Sequence, residues 1–169
     1  MKIFIAGARA IKDLPKAVEE RLANIQKLNY SVLIGDADGV DKTVQDYYSN
    51  NHYPNVTVYS SNGKVRNNVG KWQIQAVSVA NNVKGFDFYA AKDKQMALDA
   101  DYGFMIWNGK SRGTYNNIIN LINQQKTSLV FLTSICNFVV IKSEDDLKES
   151  LSLYKQRNQN EVYEQMKMF

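Results

Sequence analysis

The chain has 169 residues, of which 44% are hydrophobic and 22% charged, and these values fit one globular domain and exclude a disordered protein. Its net charge of +4 comes from lysines and arginines scattered along the chain, which argues against the large basic surface that duplex DNA requires. One cysteine, Cys136, allows neither an internal disulfide nor a thiolate metal cluster.

The amino-terminal segment contains a short apolar run, Ile3–Ala6, which predicts a buried strand and not a signal peptide. Elsewhere, no apolar stretch reaches the ~20 residues that a membrane span requires. We therefore expect a soluble, cytoplasmic protein without a membrane partner.

Apolar runs alternate with patterns of helical period, which predicts a single α/β Rossmann-like domain with a mostly parallel sheet of five to six strands and helices on both faces. The predicted strands are Ile3–Ala6, Ser31–Ile34, Val56–Tyr59, Tyr102–Trp107, Ser128–Leu132 and, at an edge, Asn137–Ile141. The predicted helices begin after Pro15, near residue 39, at Ala90, at the Ser111–Thr114 turn and after Ser143. The segment Ser60–Gly85 is the least regular, and we expect a long loop there with one helical turn near Trp72–Val79.

Three glycine-containing turns follow predicted strands. They are Gly7-Ala8-Arg9, the segment from Gly35 to Asp41, and the segment from Asn108 to Thr114. Glycine lets backbone N–H groups approach an anion closely, and a helix start adds unpaired donors and the positive end of the helix dipole. Because the carboxyl ends of parallel strands meet at one edge of a sheet, the three turns predict one site for a nucleotide-like ligand.

Two arginines beside these turns, Arg9 and Arg112, are expected to bind phosphate, because a guanidinium group offers a planar fork that matches two phosphate oxygens. Pairing with a nearby carboxylate is the alternative for each of them. Arg66 is a third candidate. Trp107 either stacks on a ligand base or belongs to the core, and the same alternatives hold for Trp72.

The predicted ligand-binding set combines the turn residues with these side chains. Its members are Gly7, Ala8, Arg9, Gly35, Asp36, Ala37, Asp38, Gly39, Asp41, Arg66, Trp107, Asn108, Gly109, Ser111, Arg112, Gly113, Thr114 and Asn117. The three aspartates among them are expected to cap a helix or to bind ribose. His52 is the only histidine, which argues against a zinc site, and we expect neither a metal nor a cofactor.

The turns resemble those of the SLOG superfamily, which includes cytokinin-activating LOG phosphoribohydrolases, the DNA-processing protein DprA and the YspA/YpsA-like proteins. Gly7-Ala8-Arg9 resembles the opening Gly-Ser-Arg, Gly35–Asp41 the second turn ending in Gly-x-Asp, and Ser111–Thr114 the Gly-x-Gly-Thr turn. The resemblance covers Met1 to about Leu132 and implies a Rossmann-like sheet that binds nucleotides or their ribosyl derivatives. The related nucleoside 2-deoxyribosyltransferases have a segment similar to Asp99-Ala100-Asp101, which directly precedes the predicted strand Tyr102–Trp107.

Asn117 departs from this resemblance, because the LOG-like enzymes have a glutamate there that acts in cleaving an N-glycosidic bond. A neutral amide can hydrogen-bond a ribose hydroxyl, but it cannot supply a negative charge or act as a base. This favours a binding protein that senses or sequesters a nucleotide-derived small molecule, such as an ADP-ribose-like signal.

Two other functions stay open. One is an N-glycosidic-bond hydrolase or nucleoside deoxyribosyltransferase-like enzyme with a relocated carboxylate. The carboxylates available to it are Asp36, Asp38, Asp41, Asp93, Asp99 and Asp101. The other, weaker alternative is DprA-like binding of single-stranded DNA along a groove of basic and aromatic residues.

The expected domain organisation is a SLOG-like nucleotide-binding domain over residues 1–155 and a helical tail over residues 156–169. In the tail, Val162, Met166 and Phe169 recur at i, i+4 and i+7, which is typical of an amphipathic helix. This helix either packs on the domain's own core or contacts a second copy of the chain, so a homodimer or larger homo-oligomer remains an open alternative.

Overall fold

Seven strands form one sheet in the computed structural model, which describes residues 1–152 of the chain. The strands are β1 Lys2–Gly7, β2 Ser31–Gly35, β3 Val56–Ser61, β4 Gln73–Val77, β5 Tyr102–Trp107, β6 Ser128–Leu132 and β7 Asn137–Ile141. Their order is β4-β3-β2-β1-β5-β6-β7, and every pairing is parallel except that of β6 with β7. The predicted α/β Rossmann-like fold is confirmed.

Helices cover both faces of this sheet. They are α1 Lys16–Lys27, α2 Val40–Asn50, α3 Gly85–Asp99, α4 Arg112–Asn123 and a further helix, α5, that begins at residue 144 and continues to residue 152. Successive side chains of β1 point to opposite faces, so Ile5 packs with α1 and α2 while Phe4 packs with α3 and α4. The core therefore consists of two apolar clusters separated by the sheet.

The segment between β3 and α3 differs from the expectation. The helical turn expected near Trp72–Val79 is wrong, because Gln73–Val77 is an edge strand that pairs in parallel with β3. Two asparagine side chains support this extended conformation, because they form hydrogen bonds with backbone groups at its two ends. Asn68 bonds both the N–H and the C=O of Trp72, and Asn62 bonds both groups of Val79.

Other boundaries differ by a few residues, since α3 begins at Gly85 and not at Ala90. The predicted tail helix with Val162, Met166 and Phe169 lies outside the described residues. Within residues 1–152, no helix has the length and hydrophobicity needed to cross a bilayer.

The order of the strands creates a crevice between β1 and β5. From β1 the chain proceeds outward through β2 and β3 to β4, and it then returns to the other side of β1 as β5. The connection after β1 runs to one face of the sheet through α1, whereas the connection after β5 runs to the opposite face through α4. In open α/β sheets, ligands bind at the carboxyl ends of two such strands.

Candidate functional site

A cavity of about 610 Å³ opens at the carboxyl ends of β1 and β5, and we call it the switch-point cavity. Its volume lies in the ordinary range for small-molecule sites, roughly 300–1,000 Å³. The structure brings together there the predicted residues Gly7, Ala8, Arg9, Ala37, Asp41, Arg66, Asn108, Ser111, Gly113 and Asn117. The first and third glycine turns therefore share one cavity.

The remaining predicted residues lie beside or beneath the cavity and do not line it. They are Gly35, Asp36, Asp38, Gly39, Trp107, Gly109, Arg112 and Thr114. Gly35 lies under the cavity floor, where a Cβ atom would come within 2.6 Å of the Lys92 ammonium and would collide with the Asp41 carboxylate. Gly39 has a φ of 77° and lies against the backbone of Arg9, so it positions the first turn.

The two tryptophans serve the core and not the cavity. Trp107 is 1% exposed, packs in the cluster with Phe4, and donates its indole N–H to the carbonyl of Ser111. Of the two alternatives for Trp107, its burial supports the core position and argues against stacking on a ligand base. Trp72 packs against the opposite cluster and donates its indole N–H to the carbonyl of Tyr53.

The first turn holds the ends of β1 and β5 close together. A Cβ atom at Gly7 would collide with the carbonyl oxygen of Ile106 and lie 2.6 Å from Val40, so only glycine fits. The N–H of Ala8 donates to that same carbonyl and is not available to a ligand. The N–H groups of Arg9 and Ala10 have no partner in the described part of the chain, and both residues line the cavity.

Side chains of the third turn close the turn and cap the start of α4. The Asn108 side chain accepts hydrogen bonds from the N–H groups of Lys110 and Ser111, which closes the turn. Ser111 caps α4 by accepting from the N–H of Thr114. The N–H groups of Arg112 and Gly113 are without partners among residues 1–152, and the positive end of the helix dipole lies there.

The second turn belongs to a buried cluster of charges. Asp36 is 2% exposed and accepts from the guanidinium of Arg66 through both carboxylate oxygens, at 2.7 and 3.2 Å, and from the Arg66 backbone N–H. Burial raises the pKa of Asp36, but the hydrogen bonds from Arg66 and the charges of Lys92 and Arg66 outweigh it, and the net pKa is lowered. Arg66 is thereby fixed by a carboxylate and is not a free phosphate ligand.

Lys92 of α3 is the second cation of this cluster, and it is 3% exposed. Its ammonium lies 2.6 Å from Asp93 and 4.0 Å from Asp36. Burial lowers the pKa of Lys92, but the charges of Asp93, Asp41 and Asp36 outweigh it, so the net pKa is raised and the lysine stays charged. Sequence reasoning missed Lys92, because a lysine within a helical pattern is ordinarily solvated.

Asp41 forms the floor of the cavity. Its carboxylate accepts from the N–H of Ala37 at 3.2 Å. Burial raises the pKa of Asp41 from 3.8 to about 6, against the opposing charge of Lys92 and with a contribution from the charge of Asp93. Asp93 also lines the cavity. Asp99, in contrast, accepts a hydrogen bond from the Tyr59 hydroxyl, and Asp101 accepts one from the backbone N–H of Lys2.

Two aromatic residues of α3, Phe86 and Tyr89, form a wall of the cavity that sequence reasoning missed. Each is 40% exposed. The Arg66 and Arg9 guanidinium groups lie 4.5 and 5.9 Å from the centre of the Tyr89 ring, and that of Arg112 lies 4.6 Å from the centre of Phe86. The i, i+3 spacing of the two rings was the available signal, but the helix was expected to begin only at Ala90.

Asn117 reaches the cavity from the second turn of α4. It is 5% exposed, and its side chain has no hydrogen-bond partner within the described residues. A buried carboxamide normally forms hydrogen bonds, so this side chain is available to a polar ligand.

No protein-family model matches the chain, and no curated protein matches it in sequence. A solved structure of DNA processing protein A from Helicobacter pylori, described for its single-stranded DNA binding mode, is similar with a TM-score of 0.61. The sequence identity is 14%, and the match covers 100% of this chain and 81% of that chain. At this identity the likeness concerns the fold alone.

Proposed function

We propose that the protein binds a phosphate-bearing, nucleotide-derived small molecule in the switch-point cavity and acts as a sensor or sequestering protein of the SLOG type. One observation carries this proposal. The backbone N–H groups of Arg9, Ala10, Arg112 and Gly113 have no partners among residues 1–152, and they belong to two turns that meet at the same cavity. Convergent N–H groups at a helix start are a ready-made site for phosphate.

The charges around the cavity support one orientation of the ligand. Arg9, Lys110 and Arg112 surround the start of α4, and none of them forms an ion pair with a described residue. The carboxylates of Asp41 and Asp93 lie on the α3 side, with Lys92 between them. The three cations attract phosphate, and the two carboxylates repel it. The carboxylates are therefore placed to accept hydrogen bonds from the ribose hydroxyls of the ligand.

Two observations favour the enzyme alternative. Asp93 and Asp41 line the same cavity as Asn117, so a carboxylate is present although α4 lacks one. A carboxylate with a raised pKa, as at Asp41, is also typical of acid–base sites. Release of free base from nucleoside 5′-monophosphates, followed by chromatography, tests this alternative directly.

Single-stranded DNA binding is the second alternative. The fold likeness to DNA processing protein A and the arginines stacked on Phe86 and Tyr89 favour it. A shift of a labelled single-stranded oligonucleotide that persists at ~150 mM salt would support it.

The proposal is tested with Gly113→Val, which adds bulk to the ligand side of α4. Apart from the adjacent backbone of α4, no atom of residues 1–152 lies within 4 Å of a Cβ atom at Gly113, so the variant is expected to fold normally. We expect its affinity for AMP, ADP-ribose and ribose 5-phosphate, measured by titration calorimetry, to fall at least about tenfold, because the side chain blocks the phosphate position. Arg112→Ala is expected to act in the same direction through charge.

Ala23→Val is the matched control, since it introduces the same β-branched side chain on the exposed surface of α1. It should leave all three affinities unchanged. Equal affinities in the wild type, Gly113→Val and Arg112→Ala would place the ligand elsewhere and contradict the proposal.

A further inference from the structure

A second, smaller cavity of about 240 Å³ adjoins the switch-point cavity, and we call it the side cavity. The two cavities share the wall residues Phe86, Ala90, Asp93, Gly113 and Asn117. Beyond this wall, the side cavity is lined by Lys94, Asn116, Ile119 and Asn120. Its volume is smaller than that of a site for a whole ligand and suits one part of a ligand.

The polar residues of both cavities lie in sequence along α4. Gly113, Asn117 and Asn120 are spaced at i, i+4 and i+7, so they form one stripe on the helix surface. At ~1.5 Å per residue, the stripe rises about 10 Å from the helix start, which is the length of a nucleotide from its phosphate to its base. The stripe therefore offers an anion site, then a carboxamide, then a second carboxamide.

The carboxamides of this stripe have no competing partners. The side chains of Asn116, Asn117 and Asn120 form no hydrogen bonds with any residue that the structure describes, and Asn117 is 5% exposed. A carboxamide presents a donor and an acceptor in one plane, which matches the edge of a nucleobase. The buried, unpartnered Asn117 lies where the two cavities meet, at the position of a ribose.

Phe86 supplies the apolar surface that such a ligand part requires. Its ring lines both cavities and is 40% exposed. A nucleobase that stacks on such an exposed ring gains apolar contact.

We infer that the side cavity is a nucleobase subsite, in which a heterocyclic base contacts Phe86 and is hydrogen-bonded along its edge by Asn116 and Asn120. This inference rests on the proposed function and narrows it. The ligand class becomes nucleotides with an intact base, and sugar phosphates without a base bind less tightly.

The test compares AMP, GMP, CMP and UMP with ribose 5-phosphate in titration calorimetry on the full chain. At least one of the four nucleotides is expected to bind the wild type about tenfold tighter than ribose 5-phosphate. Asn120→Leu should remove about tenfold of that nucleotide's affinity and leave the affinity for ribose 5-phosphate unchanged, because the phosphate and ribose contacts remain. Thermal denaturation checks that the variant is folded.

Asn123→Leu is the matched control, because it makes the same change on an exposed part of α4 that lines neither cavity. It should bind every ligand as the wild type does. Equal binding of ribose 5-phosphate and all four nucleotides would overturn the subsite and keep the proposed function, as would equal weakening of both ligand types by Asn120→Leu. Binding of none of the five compounds would overturn the proposed function itself.

Discussion

At neutral pH, the buried and charged carboxylate of Asp41 lowers the free energy of unfolding. Its carboxylate is buried beneath the cavity, and burial raises its pKa to about 6, although Lys92 lies nearby. The other charged groups facing it, Asp36 and Asp93, add negative charge. A group that destabilises the folded protein in this way is retained at functional sites, and it is consistent with a role toward a ligand.

This leads to a prediction for Asp41→Asn. Between pH 3.8 and about 6 the folded protein keeps a proton at Asp41 that the unfolded chain releases, so the contribution of Asp41 to the free energy of unfolding falls as the pH rises through that window. We expect the difference in unfolding free energy, variant minus wild type, to increase by about 1–3 kcal/mol from pH 4 to pH 7.5 in urea titrations.

Asp46→Asn provides the control, because Asp46 lies on the exposed side of α2 in a surface pair with Lys42. Its effect should stay within about 1 kcal/mol at both pH values. A difference for Asp41→Asn that does not change with pH would show that the buried carboxylate is stabilised by other means.

Among individual residues, the glycine turns could be located from the sequence, but the partners of the charged side chains could not. Gly7 and Gly113 were expected close together because the carboxyl ends of parallel strands meet at one edge of a sheet, and both line the cavity. Arg66 and Lys92 could not be assigned in the same way. Their roles depend on Asp36, which approaches both cations from another element, and local sequence does not encode this contact.

Among the elements, β4 is supported by asparagine side chains that form hydrogen bonds with backbone groups beside it. Asn62 donates to the carbonyl of Val79 and accepts from its N–H at 3.0 and 2.7 Å, which fixes the chain directly after β4. Asn62 itself has a φ of 52°, a conformation that asparagine tolerates.

We predict that Asn62→Gly loosens β4 without disturbing the rest of the sheet. Glycine accommodates the positive φ, so the variant removes only the two hydrogen bonds of the side chain. Hydrogen exchange measured by mass spectrometry should become faster in residues 73–79 and stay unchanged in β5 and β6. Asn81→Gly, at an exposed turn, is the control and should change neither region. Unchanged exchange in residues 73–79 of Asn62→Gly would mean that pairing with β3 alone holds β4.

The elements that the sequence predicted correctly are those with a periodic apolar pattern. Tyr102–Trp107 and Ser128–Leu132 are buried strands with the predicted bounds. Gln73–Val77 was missed because its alternation of polar and apolar residues is short, and because the strand is an exposed edge strand within an irregular polar segment. The start of α3 was missed because Gly85 and two exposed aromatic residues do not resemble an amphipathic helix.

For the whole molecule, the sheet joins two apolar clusters that cannot be separated without breaking β1. Each cluster has its own tryptophan, since Trp72 packs against the cluster of Ile5 and Trp107 lies in the cluster of Phe4. Neighbouring residues of one strand thus belong to both halves of the core.

We therefore predict that the two faces unfold together. In Trp107→Phe, fluorescence reports on Trp72, and in Trp72→Phe it reports on Trp107. Within each variant, the urea midpoint from fluorescence should coincide with the midpoint from far-UV circular dichroism, as expected for a two-state domain. Separate midpoints in either variant would reveal that one face unfolds first.

The fold class followed from the alternation of strands and helices, but the strand order did not. Nothing in the local sequence specifies that β5 pairs with β1 and not with β4, because this choice is made by packing of the whole sheet. The location of the cavity depends on that choice. The site was therefore predictable in its turns, and its α3 wall required the three-dimensional structure.

The two sides of α4 have different roles. Ile118 and Leu121 are fully buried and anchor it to the scaffold, while Asn116 and Asn120 face the side cavity. Under the proposed base subsite, substitutions at Asn116 and Asn120 are expected to change ligand selectivity without disturbing the buried side of the helix.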